Sequence, residues 1–74
     1  MQGSTVGRIL WRAAADEDFR NRAIDNLGMA LAQEGFILTD AEMAQLRAWW
    51  EEIQTLSVRG AAERIQALAR SYRH

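Results

Sequence analysis

Residues 10–46 read LWRAAADEDFRNRAIDNLGMALAQEGFILTDAEMAQL, and this stretch decides the fold because helix starts and stops follow one another closely in it. Asp16 is a good helix N-cap, and the carboxylates that follow it suit the positive end of a helix dipole. Asn26 can cap a second start, and Gly35 suits the left-handed conformation that ends many helices. The stretch therefore predicts short helices separated by sharp turns.

A new helix start follows directly after Gly35. Thr39 and Glu42 have the spacing of a capping box, in which the hydroxyl accepts from a backbone N–H and the carboxylate reaches back to the cap residue. Leu38 and Met43 have the spacing of a hydrophobic staple, which fixes the angle at which the chain enters the helix. These residues predict a helix from residue 40 to about residue 54.

Apolar residues at helical spacing extend the pattern to both ends of the chain. They predict a first helix over residues 5–15, and Ser57 can cap a last helix, although Gly60 leaves its start open and the last two helices could fuse. The apolar face of that last helix comprises Val58, Ala61, Ala62, Ile65, Leu68, Ala69 and Tyr72. We therefore expect an all-α fold, a compact bundle of four to five short helices with a long C-terminal amphipathic helix.

Length and charge suggest how the chain is divided. A chain of 74 residues forms one small core at most. We expect a disordered N-terminus over residues 1–4, a helical domain over residues 5–55 and a basic amphipathic helix over residues 56–74. The first 55 residues are acidic, whereas the tail carries four arginines against Glu63 alone. Such a tail is either the solvated side of a helix or a surface that docks on an acidic partner, a nucleic acid or a membrane.

The chain offers few groups for catalysis. It contains no cysteine, and its sole histidine is His74, so thiol chemistry and histidine-based sites have almost nothing to build on. The acidic run at residues 16–18 suits helix capping better than metal binding, and Glu51 and Glu52 point to different faces of a helix. We expect no enzyme activity, no metal and no cofactor. With no signal peptide and no membrane span in the sequence, we also expect a cytoplasmic protein.

A helix, Gly35 and a second helix could imitate a DNA-binding helix-turn-helix. Two features disfavour that reading. Glu34 stands where a buried apolar residue is expected, and Asp40 and Glu42 would repel phosphates at the start of the recognition helix. The nucleic-acid-binding hypothesis that remains is a basic tail that binds nucleic acid without base-specific contacts.

The adjacent Trp49 and Trp50 project about 100° apart on a helix, so one small core cannot easily bury both. We expect one of them at an edge, either as a partly covered core residue or as an anchor for a partner, because Trp is enriched among residues that dominate binding energy. Trp11 lies slightly outside its helix's apolar stripe, and we expect it to line the core.

Several short motifs together resemble a known family. They are Asp16, Phe19 with Arg20, Ala30 with Leu31, Gly35 with Phe36, and the segment from Leu38 to Glu42. In this order they resemble the nitrile-hydratase-leader-peptide clan, whose members mostly serve as leader regions of ribosomally made, enzymatically modified peptides. The resemblance covers roughly residues 8–50. Asp25 and Asn26 stand where the family often has Asp-Pro.

The tail departs from a peptide precursor, because residues 56–74 contain no cysteine and few hydroxyls. This departure from the resembled family suggests a leader-like domain that docks on a larger protein or enzyme, or on a second copy of itself, rather than one that is processed. The alternative is an accessory subunit, similar to the small helical subunit of extradiol ring-opening dioxygenases. Residues expected to bind the partner are Phe36, Ile37, Trp49, Trp50, Ile65, Leu68 and Tyr72.

Overall fold

The computed structural model describes residues 5–72, and within that range it contains five helices and no strand. The helices are α1 (Thr5–Ala15), α2 (Glu17–Asp25), α3 (Leu27–Glu34), α4 (Asp40–Ile53) and α5 (Val58–Ser71). The predicted all-α bundle is confirmed, and the C-terminal helix α5, which was expected to be long, has 14 residues, the same length as α4. The N-terminus expected to be disordered, residues 1–4, and the sole histidine, His74, lie outside the described residues.

Asp16 separates α1 from α2 and caps α2, as predicted. Its carboxylate accepts from the Phe19 backbone N–H at 3.1 Å and from Arg12 Nε at 3.0 Å. Both bonds favour the charged form of the Asp16 carboxyl and therefore lower its pKa below the ordinary value. The bond from the Phe19 N–H has the larger effect, followed by the bond from Arg12. Arg20 closes the junction from the other side, since its guanidinium donates to the Ala13 carbonyl at 2.9 Å and satisfies the end of α1.

Asn26 is the only residue between α2 and α3, and it serves both helices. Its backbone N–H donates to the Arg22 carbonyl at 2.8 Å, which ends α2. Its side chain accepts from the Met29 N–H at 3.2 Å, which caps α3. The predicted break is therefore confirmed, and it forms without the proline that the resembled family often has there.

Two side chains of α4 donate hydrogen bonds to carbonyls at the end of α2. The Trp50 indole N–H donates to the Ala23 carbonyl at 3.0 Å, and the Gln54 amide donates to the Ile24 carbonyl at 3.1 Å. In a continuous helix these carbonyls would accept from backbone N–H groups four residues later. Because the helix stops, α4 supplies the missing donors and is thereby fixed against the end of α2.

Gly35 ends α3 in the left-handed conformation, with φ at 77°. Its N–H donates to the Ala32 carbonyl at 3.2 Å, and the Phe36 N–H donates to the Leu31 carbonyl at 3.0 Å. This pair of bonds is a Schellman motif. The ring of Phe36 then lies 6.1 Å from that of Phe19, centroid to centroid, so the chain folds back on α2 as it leaves α3.

Both bonds of the capping box at the start of α4 are present. The Glu42 N–H donates to Thr39 Oγ1 at 3.1 Å, and the Thr39 N–H donates to Glu42 Oε1 at 2.9 Å. The next helix has its own cap, since Ser57 Oγ accepts from the Gly60 N–H at 3.1 Å at the start of α5. The last two helices are therefore separate rather than fused.

All five helices contribute to one core, in which α5 packs on α1 and α4, and α2 packs on α1 and α3. The core residues are Val6, Ile9, Leu10, Ala13, Phe19, Ala23, Leu27, Ala30, Leu31, Leu46, Trp50, Ile53, Ala61, Ile65, Leu68 and Ala69. Leu38 and Met43, the predicted staple, are both partly buried against it.

Two apolar residues that the sequence assigned to inward faces, Trp11 and Val58, are exposed instead, and so is Met29. Trp11 is 43% exposed because it lies off the buried stripe of α1. Met29 is 56% exposed, since the short helix α3 buries only its opposite face. Val58 is 76% exposed because it is the first residue of α5, where the helix has not yet reached the core.

Removing the cap hydroxyl at Thr39 tests the start of α4. We expect Thr39→Ala to lower the free energy of unfolding by about 1 kcal/mol, because one backbone N–H loses its acceptor. In a domain of this size that loss lowers Tm by about 4–8 °C in a thermal scan. Thr55→Ala removes an exposed hydroxyl that caps no helix start and should change Tm much less. Equal effects of the two changes would contradict the capping role.

Alanine substitution at two glycines, Gly28 within α3 and Gly35 at its end, tests the left-handed turn. Gly35→Ala should destabilise the protein by about 1 kcal/mol in urea denaturation, because a Cβ is strained at positive φ. Gly28→Ala should be neutral or stabilising, since an added Cβ in this helical position meets nothing closer than 3.9 Å. Two changes of the same sign and size would mean that the turn at residue 35 does not require glycine.

Candidate functional site

The seven residues predicted to bind a partner lie in three different places. Trp50, Ile65 and Leu68 are in the core, with exposures of 2%, 0% and 8%. The chain itself covers these side chains, and Trp50 is held by its hydrogen bond to α2. They support the fold, and of the seven predicted residues only the remaining four, Phe36, Ile37, Trp49 and Tyr72, are at least partly exposed.

Trp49 and Tyr72 form an edge of the molecule at the end of α5. Both are partly buried, and their rings meet edge to face at a centroid distance of 5.7 Å and an interplanar angle of 83°. This geometry is favourable for aromatic pairs. As predicted, only one of the adjacent tryptophans is fully buried, and the other lies at an edge.

Phe36 and Ile37 lie in the short segment between α3 and α4, residues 36–38, which we call the connector. Phe36 is partly buried against Phe19, whereas Ile37 is 86% exposed. The backbone of Ile37 makes no hydrogen bond to any other residue within 5–72. Trp49 follows the start of α4 by nine residues, about 13 Å along the helix, so the connector and the aromatic edge are separate surfaces.

Glu34, the residue before the turn at Gly35, belongs to a cluster of charged side chains. The two carboxylate oxygens of Glu34 pair with Arg12 at 3.0 Å and with Arg22 at 3.3 Å, which joins α3 to α1 and α2. Both guanidinium groups also lie near the ring of Phe19, at 5.3 and 5.9 Å from its centroid. The groups are partly exposed, so solvent weakens each pair, but together the two pairs tie the end of α3 to α1 and α2.

Sequence reasoning missed this cluster, because its members are 12 and 22 residues apart and no helical period connects them. The only sequence signal was Glu34 itself, a charged residue where an apolar one was expected. In the structure that position is occupied by a carboxylate because two arginines from neighbouring helices reach it.

A hollow of about 340 Å³ lies where the break between α2 and α3 meets α4. Its charged residues are of both signs, since Arg47 faces it together with Asp25 and Glu51. The complete lining is Asp25, Asn26, Leu27, Gly28, Arg47, Trp50, Glu51 and Gln54. The hollow is therefore polar, and its walls include the groups that complete the helix break.

A second hollow of about 260 Å³ lies between α1 and α5, and we call it the α1–α5 groove. Alanines from both helices form its floor, while larger side chains stand at its sides. Its lining is Trp11, Ala14, Ala15, Gln66, Ala69 and Arg70. The sequence did not predict this groove, because Trp11 was expected in the core.

Within residues 5–72, no group of three or more histidine, cysteine or acidic residues is arranged to hold a metal ion. None of the five helices has the length and apolar character needed to cross a membrane. No protein-family model, no curated protein and no solved structure matches this chain.

Proposed function

We propose that this chain is a non-catalytic, cytoplasmic docking protein, which a larger protein recognises through the connector. The resembled clan suggests such a role, because its members mostly serve as leader regions of enzymatically modified peptides. The observation that carries the proposal is the 86% exposure of Ile37 in the connector, between two well-defined turns. A large apolar side chain held outward at a fixed position is the kind of anchor that fills a pocket on a partner.

The local structure supports this role because it prepares the connector for binding. The Schellman motif at Gly35 fixes one end, and the capping box at Thr39 fixes the other. Phe36 ties the intervening segment to the core through Phe19. A binding segment that is already ordered loses little conformational entropy when it meets its partner, so more of the contact energy appears as affinity.

The aromatic edge offers a second contact for the same partner. Trp49 and Tyr72 each keep part of a ring exposed, and such rings combine apolar area with a polar group that can hydrogen-bond. A partner that reaches from the connector along α4 to this edge would cover about 13 Å of the helix. We propose the connector as the main anchor and the aromatic edge as the outer contact.

The packing of α5 supports docking over processing. Ala61, Ile65 and Ala69 are at most 2% exposed, so α5 contributes fully buried side chains to the common core. Cleavage ahead of α5 would remove those side chains and uncover the faces of α1 and α4 on which they pack. This observation also favours the second candidate, an accessory subunit that remains intact within an enzyme complex.

Photo-crosslinking from the connector tests the proposal. Benzoylphenylalanine is placed at position 37 of the full chain in its native host, and covalent adducts are identified by mass spectrometry. We expect one predominant protein adduct. Ile37→Asp should then weaken binding of that protein by about tenfold or more in a direct titration, because an anchor side chain is lost. Tm should change little, since the side chain is exposed.

Position 58 provides the matched control. Val58 is also β-branched and is 76% exposed, but it lies at the start of α5. Benzoylphenylalanine there should not give the same adduct, and Val58→Asp should leave the affinity within about twofold of wild type. The proposal fails if the two positions label alike, if position 37 labels nothing, or if Ile37→Asp binds the partner as well as wild type.

A further inference from the structure

The α1–α5 groove combines an exposed aromatic side chain with a floor of small residues. Trp11 is 43% exposed at one side, and Ala14, Ala15 and Ala69 leave space beside it. Alanines let the two helices approach closely and leave a hollow of about 260 Å³ between the larger side chains. Its shape suits the side chain of a leucine or phenylalanine presented by a third helix.

The one charged residue that lines the groove is basic. Arg70 lines it, Arg8 is exposed on α1 one turn before Trp11, and no carboxylate is among the lining residues. Within residues 5–72, neither of these two arginines makes an ion pair or a side-chain hydrogen bond. By contrast, Arg12 and Arg22 are paired with carboxylates.

We infer that the α1–α5 groove binds an acidic amphipathic helix of another protein. An apolar side chain of that helix lies on the alanine floor against Trp11, and its carboxylates pair with Arg8 and Arg70. The mode is that of a helix laid in a groove, in which apolar anchors give affinity and flanking charges give orientation. The groove shares no residue with the connector, so this is a second binding surface.

The same charges argue against two other occupants. If two copies of the chain paired groove to groove, the arginines of one copy, Arg8 and Arg70, would face the arginines of the other, and like charges would repel. A nucleic acid strand needs cations along an extended path, whereas here two arginines, Arg8 and Arg70, flank one hollow.

A designed peptide serves as the probe. It is an acetylated 15-residue helix with leucines on one face and glutamates on the other, titrated into the ¹⁵N-labelled full chain. We expect amide shifts concentrated at residues 11–15 and 66–70. The matched peptide with lysine in place of glutamate should bind at least about tenfold more weakly, because its charges oppose those of the groove.

Three charge or side-chain variants locate the site. Arg70→Glu and Trp11→Ala should each weaken binding of the acidic peptide by about tenfold, since one reverses the pairing charge and the other removes the aromatic wall. Arg47→Glu makes the same charge change at another arginine that is unpaired within the described residues but lines the hollow at α4. It should change the affinity by less than about twofold.

Several results would overturn the inference. They are equal loss of affinity in Arg47→Glu and Arg70→Glu, shifts spread over the whole surface, no peptide binding at millimolar concentration, or tighter binding of a 15-nucleotide single-stranded DNA. Ile37→Asp should bind the acidic peptide like wild type. Failure of the peptide test therefore leaves the proposal for the connector standing, and failure at the connector leaves the groove standing.

Discussion

The rest of the structure depends on the buried hydrogen bond from the Trp50 indole to the Ala23 carbonyl. A helix that stops leaves its last carbonyls without intrahelical donors, and a buried carbonyl left unpaired costs about 1–3 kcal/mol. Here α2 stops at Asp25, and the missing donor comes from α4, 27 residues further along the chain. The bond therefore ties the break between α2 and α3 to the orientation of α4, and the 2% exposure of Trp50 places it within the core.

The position of the connector, the proposed docking surface, follows from this constraint. Because α2 ends where it does, α3 turns back so that Glu34 reaches Arg22 and Phe36 reaches Phe19. Those contacts place the connector at the start of α4 with Ile37 outward. On another part of the molecule, packing of α5 on α1 leaves the alanine-floored groove beside Trp11. The fold and the two proposed docking surfaces thus depend on the way short helices are stopped and then packed against one another.

The features that could be predicted from the sequence are local ones. Asp16, Asn26, Gly35 and Thr39 each act on backbone groups within four residues, so their spacing predicted the boundaries of the first helices. The start of α5 at Ser57 stayed open in the sequence because Gly60 follows it. The bond of Trp50 to Ala23 and the pairs of Glu34 join distant residues, and no local pattern encodes them. The same limit explains the partner surface. Periodicity marked Ile65 and Leu68 as apolar but could not tell that α1 and α4 would cover them, nor that Trp11 would be left exposed.

Hydrogen exchange at the indole groups tests the central claim most directly. In ¹H–¹⁵N spectra of the protein transferred to D₂O, the side-chain N–H of Trp50 should exchange on the timescale of global unfolding, because it is buried and hydrogen-bonded. That of Trp49, which is partly exposed and whose indole has no hydrogen-bond partner within residues 5–72, should exchange much faster. Assignment by Trp50→Phe and Trp49→Phe distinguishes the two signals. If the Trp50 indole exchanges as fast as that of Trp49, α4 does not complete the end of α2, and the account of the fold is contradicted.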